Sequence, residues 1–188
     1  YDLYEDQALA WDKTRSDIWE KIVNDFVSKI ESQKNILDLG CGNARLYPKL
    51  KFLSIKYLGI DPSKNLIKIN KQKYPDANFK VGDGLKIKYK NEFDYIFCLA
   101  VLHHIPSEKL RLLFLKNIHN ALKPNGKIIL SVWNRWQPKY INYMFDPKLY
   151  EDMKKTDTIV PWRKTNEYRY IHCFTQKELD NLAQKSHF

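Results

Sequence analysis

Asn35-Ile36-Leu37-Asp38-Leu39-Gly40-Cys41-Gly42-Asn43-Ala44 decides the fold. A short apolar run ends in two glycines one residue apart, and a helical pattern begins near Arg45. That reads as strand, tight turn and helix N-terminus. The glycines permit unusual backbone angles and let a ligand lie against bare main chain. A helix start behind them offers unpaired N–H groups. A Rossmann-like sheet places such a loop at the carboxyl end of its first strand, where ligands bind. A dinucleotide fingerprint needs a third glycine at position 45. Arginine stands there, so that reading fails. A strand–turn–helix junction with no ligand is the plain alternative.

On the N-terminal side, Ile18, Ile22, Phe26 and Ile30 recur every four residues, with Trp19 and Val23 widening the stripe. This predicts a helix from Thr14 to about Ile30, capped by Thr14 or Ser16. On the C-terminal side the pattern alternates strand and helix. A helix is expected to about Leu50 and a strand over Tyr57–Ile60, ending in Asp61-Pro62-Ser63. A helix then runs to Lys73, with Lys64, Lys68 and Lys71 on one solvated face. Strands follow near Asn78–Val81 and over Phe93–Leu99. Pro106-Ser107 opens a helix whose buried stripe is Leu110, Leu113, Phe114, Ile118 and Ala121, stopped by Pro124-Asn125-Gly126. The fifth strand is read as Lys127–Trp133. Residues 134–168 are irregular and aromatic, long enough to read as a functional insertion or lid. Tyr168–Phe174 is extended, and Thr175 with Glu178 forms a capping box for a last helix. Strands alternating with helices predict one α/β domain over residues 1–188, its sheet mostly parallel with helices on both faces.

With 188 residues, 44% of them hydrophobic, the chain can build a core and is not a disordered segment. No apolar run reaches membrane-spanning length, and no signal peptide pattern opens the chain. Cys41, Cys98 and Cys173 are odd in number and far apart, which fits neither a disulfide framework nor a zinc site. A reducing cytosol is the expected compartment, with the nucleus as the alternative. The net charge of +10 is uneven. Residues 1–50 carry 7 basic and 9 acidic side chains, and residues 51–150 carry 18 and 7. Such a basic region suits a phosphate-rich partner. A generally lysine-rich composition explains it equally well.

The order Asp38-Leu39-Gly40-Cys41-Gly42 resembles the first motif of class I S-adenosylmethionine (SAM) methyltransferases. Ala44 departs from it, standing where the motif has its third glycine and leaving somewhat less room for SAM. Several further stretches resemble the tRNA wobble-uridine carboxymethyl methyltransferases, which include the methyltransferase domain of AlkB-like fusion proteins. They are Asp12-Lys13-Thr14-Arg15, Val101-Leu102-His103-His104, Ser131-Val132-Trp133, Val160-Pro161-Trp162 and Arg169-Tyr170-Ile171-His172-Cys173-Phe174. The resemblance implies a Rossmann-like fold whose C-terminal strand hairpin, after the final helix, is absent here. It also implies SAM as cofactor, tRNA as partner, and in some relatives a small zinc-binding activator covering an apolar strip around Phe79. The implied reaction is methyl transfer to the carboxylate of 5-carboxymethyluridine. A small-molecule O- or N-methyltransferase and a non-catalytic methyltransferase-like subunit are the alternatives.

The resemblance places the cofactor on Asp38, Gly40, Cys41, Gly42, Asp61, Pro62, Ser63, Asp83, Gly84, Ala100 and Val101. Asp61 would accept hydrogen bonds from both ribose hydroxyls, or else simply cap the helix before Pro62. Asp83 would accept from the adenine amino group, or be a plain turn aspartate. Asp38 would face the methionine end, and Ala100 and Val101 the sulfonium. A carboxylate is already ionised at neutral pH, so the reaction needs placement and not a general base. Arg15, His103 or His104, Trp133, Arg169 and His172 are the candidates for holding the substrate. Trp133 could equally pack in the core, and Trp162 is expected to pack the lid.

Overall fold

The computed structural model describes Glu5 and residues 20–134, 156–161 and 168–188, with only the backbone of 20–22. The expected first helix is seen as α1, Glu20–Val27, and its proposed caps lie outside the described residues. Then come β1 (Asn35–Leu39), α2 (Tyr47–Leu50), β2 (Lys56–Asp61), α3 (Lys64–Lys73), β3 (Asn78–Val81) and β4 (Phe93–Leu99). A 3₁₀ turn at Leu102–His104 precedes α4 (Glu108–Ala121) and β5 (Leu122–Ser131). The described chain closes with β6 (Asp157–Pro161), β7 (Tyr168–His172) and α5 (Gln176–Lys185).

The five-stranded sheet has the order β3-β2-β1-β4-β5. Every pairing in it is parallel. The order reverses beside β1, and ligands of such sheets bind at the carboxyl ends of the strands around that point. The Gly40 loop and the turn after β4 flank it. Burial explains the register. Ile36 and Asp38 face one side of the sheet and Leu37 and Leu39 the other, as a two-residue period requires. Leu37, Leu39, Ile96 and Cys98 pack with Phe114, Leu115 and Ile118 of α4. Ile36, Tyr57, Phe79 and Phe97 form the opposite layer with Ile67 of α3.

Four local expectations change. The helix after the glycine loop is only the single turn of α2, reached through a run of turns. The fifth strand starts earlier, at Leu122, because the Pro124-Asn125-Gly126 stretch is absorbed as an irregularity between the Phe93 and Tyr95 pairings. Within the stretch read as irregular, Asp157–Pro161 is a strand, paired antiparallel with β7 from Asp157↔His172 to Pro161↔Tyr168. This hairpin precedes the last helix. Finally, α4 buries Arg111 at 2% exposure and leaves Leu113 at 45%. The Arg111 guanidinium donates to the Ile105 carbonyl at 3.0 Å and lies over the Phe174 ring, so the buried face turns toward it.

Candidate active site

The strand ends converge on one cavity of ≈ 510 Å³. Its floor is the glycine loop. Gly40 has φ +76°, and a Cβ there would stand 2.3 Å from Val101 Cγ2. Only glycine fits, and the turn after β4 therefore lies directly on bare backbone. Gly42 is held from both of its polar groups. Its N–H donates to Asp61 Oδ2 at 2.9 Å and its carbonyl accepts from Asn70 Nδ2 at 2.7 Å. Asn70 is fully buried on the inner face of α3. Sequence reading passed over it. The signal was an amide at the same helical face as Leu66 and Ile67.

Among the described residues two carboxyl groups line the cavity, Asp38 and Asp61, and both are buried. Burial pushes the Asp38 carboxyl up to about 7, against a 2.9 Å hydrogen bond from the Tyr57 hydroxyl. Asp61 is raised by burial too, although the Ser63 and Gly42 N–H groups bond its carboxylate. Opposite charge recovers such a desolvation cost. Leu85, Leu110 and Phe114 give the cavity an apolar wall. Two buried acids, bare glycine backbone and an apolar slot suit a ligand that carries cationic groups and a flat heterocycle.

The remaining wall comes from the hairpin. Tyr168, Arg169 and Tyr170 of β7 line the cavity with His104. The His104 Nδ1–H donates to the Tyr170 carbonyl at 3.3 Å, since a carbonyl can only accept. This fixes Nδ1 as the protonated nitrogen of the neutral ring. Burial, with the Arg169 charge behind it, pulls His104 down to about 3. The ring is uncharged at neutral pH. The Arg169 guanidinium lies 5.2 Å from the centre of the Trp133 ring, a cation–π stack that orients the fork.

Matching this site, the family model described as "Methyltransferase domain" covers residues 11–188. The chain belongs to the methyltransferase family. Among its relatives, the tRNA (carboxymethyluridine(34)-5-O)-methyltransferase alkbh8 of Xenopus tropicalis is 32% identical over 70% of this chain and 20% of its own. A protein with the same enzyme name from Schizosaccharomyces pombe is 26% identical over 98% of this chain and 86% of its own. Counting also the Arabidopsis and budding-yeast relatives, the chain spans from 20% to 54% of the length of the first three relatives. A SAM-dependent methyltransferase from Methanosarcina mazei superposes with a TM-score of 0.77 at 23% identity, over 90% of this chain and 84% of that one. A putative methyltransferase from Haloferax volcanii, solved in complex with the Trm112 methyltransferase activator, superposes at 0.59 and 20% identity over 66% and 57%. These likenesses agree on a class I SAM-dependent fold.

Within this methyltransferase, Asp38, Gly40, Cys41, Gly42, Asp61, Pro62, Gly84, Ala100 and Val101 line the cavity. Ser63 and Asp83 stand beside it. Ser63 is the N-cap of α3, accepting from the Leu66 N–H and donating to Glu5. Asp83 accepts from the Leu85 N–H at 2.9 Å, closing the turn that presents Gly84. Ala44 has φ +54° and is fully buried away from the cavity wall. Its position favours glycine for backbone angle, so the methyl takes no room from the ligand.

Of the substrate-side candidates, His104 and Arg169 line the cavity. His103 lies behind them, 1% exposed and stacked 5.7 Å from the Trp133 ring. His172 is also 1% exposed and lies off the cavity wall, between the carboxylates of Asp157 and Glu178. Trp133 supports Arg169 from beneath. Arg15 and Trp162 lie outside the described residues. Phe79, the centre of the expected apolar strip, is not on the surface, while Val81 of the same strand is half exposed. Phe79 is 2% exposed, edge-on to the Tyr57 ring, because β3 turns it into the aromatic layer. Arg45, Leu110 and Phe114 line the cavity without having been singled out as ligand residues. The two α4 residues looked like ordinary core stripe.

No helix among the described residues is long and apolar enough to cross a membrane. No cluster of metal-binding side chains occurs among them.

Proposed function

We propose that this methyltransferase esterifies the carboxylate of 5-carboxymethyluridine at the tRNA wobble position. The carrying observation is the hairpin side of the cavity, where Arg169 and a neutral His104 face the ligand space and where, among the described residues, the lining carboxyl groups are Asp38 and Asp61. The names of the relatives support the same substrate.

The site suits SAM on its own terms: two buried acids, a glycine floor that a single Cβ would fill, and an apolar wall. When bound, SAM supplies an electrophilic methyl group on a sulfonium. Asp38 would take its ammonium, Asp61 the ribose hydroxyls, and Leu85 with Phe114 the adenine faces. Gly40 and Val101 would hold the reacting end against the turn after β4.

The chain's work on the substrate is positional. A carboxylate is ionised well below neutral pH and needs no base. Arg169, braced on Trp133, would orient it as a planar fork. A neutral His104 adds polarity without a second full charge that would quench the nucleophile. Closing such a site and aligning the reacting atoms is worth about 7–11 kcal/mol.

A small activator subunit is part of this proposal. Strand β3 is the edge of the sheet and leaves one hydrogen-bonding side without a neighbouring strand among the described residues. An added strand there would cover it.

The test compares methyl transfer to tRNA bearing 5-carboxymethyluridine with transfer to the same tRNA bearing plain uridine, with and without an activator. Transfer to the first alone is expected. Equal transfer to both, or transfer only to small acids, overturns the proposal.

A further inference from the structure

Beyond the cavity, Leu85-Lys86-Ile87-Lys88-Tyr89-Lys90 alternates apolar and basic residues. The structure separates the two sets. Ile87 and Tyr89 pack against the core layer of α4, and Lys86, Lys88 and Lys90 are exposed. The backbone of this stretch is pinned along α4. Asn117 Nδ2 donates to the carbonyls of Gly84 and Leu85 at 3.2 and 3.0 Å. The Asn91 N–H donates to the Asn120 carbonyl at 2.9 Å, and Glu92 N–H to that of Ala121 at 3.0 Å. The Tyr89 ring meets Phe93 edge-on at 5.2 Å.

The three lysines are therefore exposed on one stretch whose two ends are held against α4. Lys86 closes the turn, its N–H donating to the Asp83 carbonyl at 2.8 Å, and Lys88 and Lys90 alternate with the inward Ile87 and Tyr89. No acid interrupts positions 84–91. Lys109 and Lys116 on α4 are exposed too, and Lys116 adjoins the Asn117 that pins the ribbon. Among the described residues none of these five lysines has an ion-pair partner. The row begins at the cavity itself, because Gly84 and Leu85 form part of its wall.

We propose that the Lys86–Lys88–Lys90 row is a track for the phosphodiester backbone of the RNA whose base enters the cavity. This rests on the tRNA reading above. Exposed cations on alternate residues, continuous with the active-site rim, fit a polyanion laid along the protein. A row of this kind positions the nucleic acid and carries no base specificity.

A matched control exists on the other face of the sheet. Lys64, Lys68 and Lys71 are exposed on α3, which packs in the opposite layer. The experiment measures binding of labelled tRNA to the intact protein across a salt series. It compares the parent, K86Q/K88Q/K90Q and K64Q/K68Q/K71Q, with SAM binding recorded for each. The row variant should lose about tenfold in tRNA affinity at low salt. Its plot of log affinity against log salt should flatten by about 2, at roughly 0.7 for each phosphate the protein no longer neutralises. The control triple should match the parent, and all three should bind SAM alike. An unchanged slope in the row variant, or an equal loss in both triples, overturns the track while the tRNA reading stands. So does loss of binding to phosphatidylserine vesicles with tRNA binding intact, which would assign the row to a lipid surface. A parent that binds SAM but shows no salt-dependent tRNA binding overturns both.

Discussion

The imidazole of His172 is joined to the carboxylate of Glu178, Nε2 to Oε1 at 2.7 Å, linking β7 to α5. Its other nitrogen lies 2.6 Å from Asp157 Oδ1 on β6, and the Tyr170 hydroxyl donates to that same oxygen at 2.7 Å. Glu178 also stands 3.8 Å from the buried Arg111 of α4. One buried network thus fixes the hairpin that presents Arg169 and Tyr170 to the cavity. The capping box is only half made: Thr175 accepts from the Glu178 N–H, while the Glu178 carboxylate is spent on His172.

Breaking this network should cost stability. Leaving a buried polar group without its hydrogen-bond partner typically costs about 1–3 kcal/mol. His172→Ala should therefore lower the urea midpoint strongly. Glu178→Gln, which can still accept from Nε2, should cost less. Equal stability of His172→Ala and the parent would mean that the network does not hold the hairpin.

The glycine floor makes a sharper prediction. Gly40→Ala places a methyl 2.3 Å from Val101 Cγ2 on a backbone of φ +76°. SAM binding, measured by calorimetry, should be lost or fall at least a hundredfold. Adding Val101→Ala removes the clash but leaves left-handed strain of about 1–2 kcal/mol. The double variant should recover part of the binding. No recovery at all would place the defect elsewhere.

Asp38 sets a pH dependence. Burial raises its carboxyl to about 7 in the free protein, and a bound ammonium needs it ionised. SAM affinity should rise about tenfold per pH unit below 7 and level off above it, with proton release on binding. Asp38→Asn should bind more weakly and lose the slope. The stability sign is opposite. A carboxyl whose folded pKa is raised favours the folded state at low pH, and that contribution fades as pH rises from about 4 to 7.

The two adjacent histidines act the other way. Burial lowers His103 well below its ordinary value and His104 to about 3. Their contribution is whole above about 6.5, the unfolded value, and is lost as pH falls below it. His104→Gln should soften the loss of stability between pH 6.5 and 4. Thermal melts across that range provide the check. An acid limb as steep as the parent's would show that His104 does not carry it.

Much of this was legible in the residues because the signals are local. Phe93–Leu99 and Asn78–Val81 read as strands from their own apolar pattern, and Asp38, Asp61 and Asp83 stand at or just beyond the ends of successive strands. The misses share a cause. Asp157–Pro161 is bounded by an aspartate and a proline, and it is the antiparallel pairing with β7 that makes it a strand. Arg111 looks like surface until Ile105, Phe174 and Glu178 surround it. His172 reads as a chemical residue by motif, and the structure surrounds it with Asp157 and Glu178 from two other elements. Partners on other elements decided each of these, and the residue types alone do not announce the pairing.

Ester formation on a wobble carboxylate, as proposed, is read out by the alkali lability of the product. tRNA carrying 5-carboxymethyluridine would be incubated with the intact protein, a candidate activator and methyl-labelled SAM, then treated with mild alkali. Label on the tRNA that leaves as methanol is expected. Label that stays on the RNA through alkali, or no label despite measured SAM binding, would contradict it.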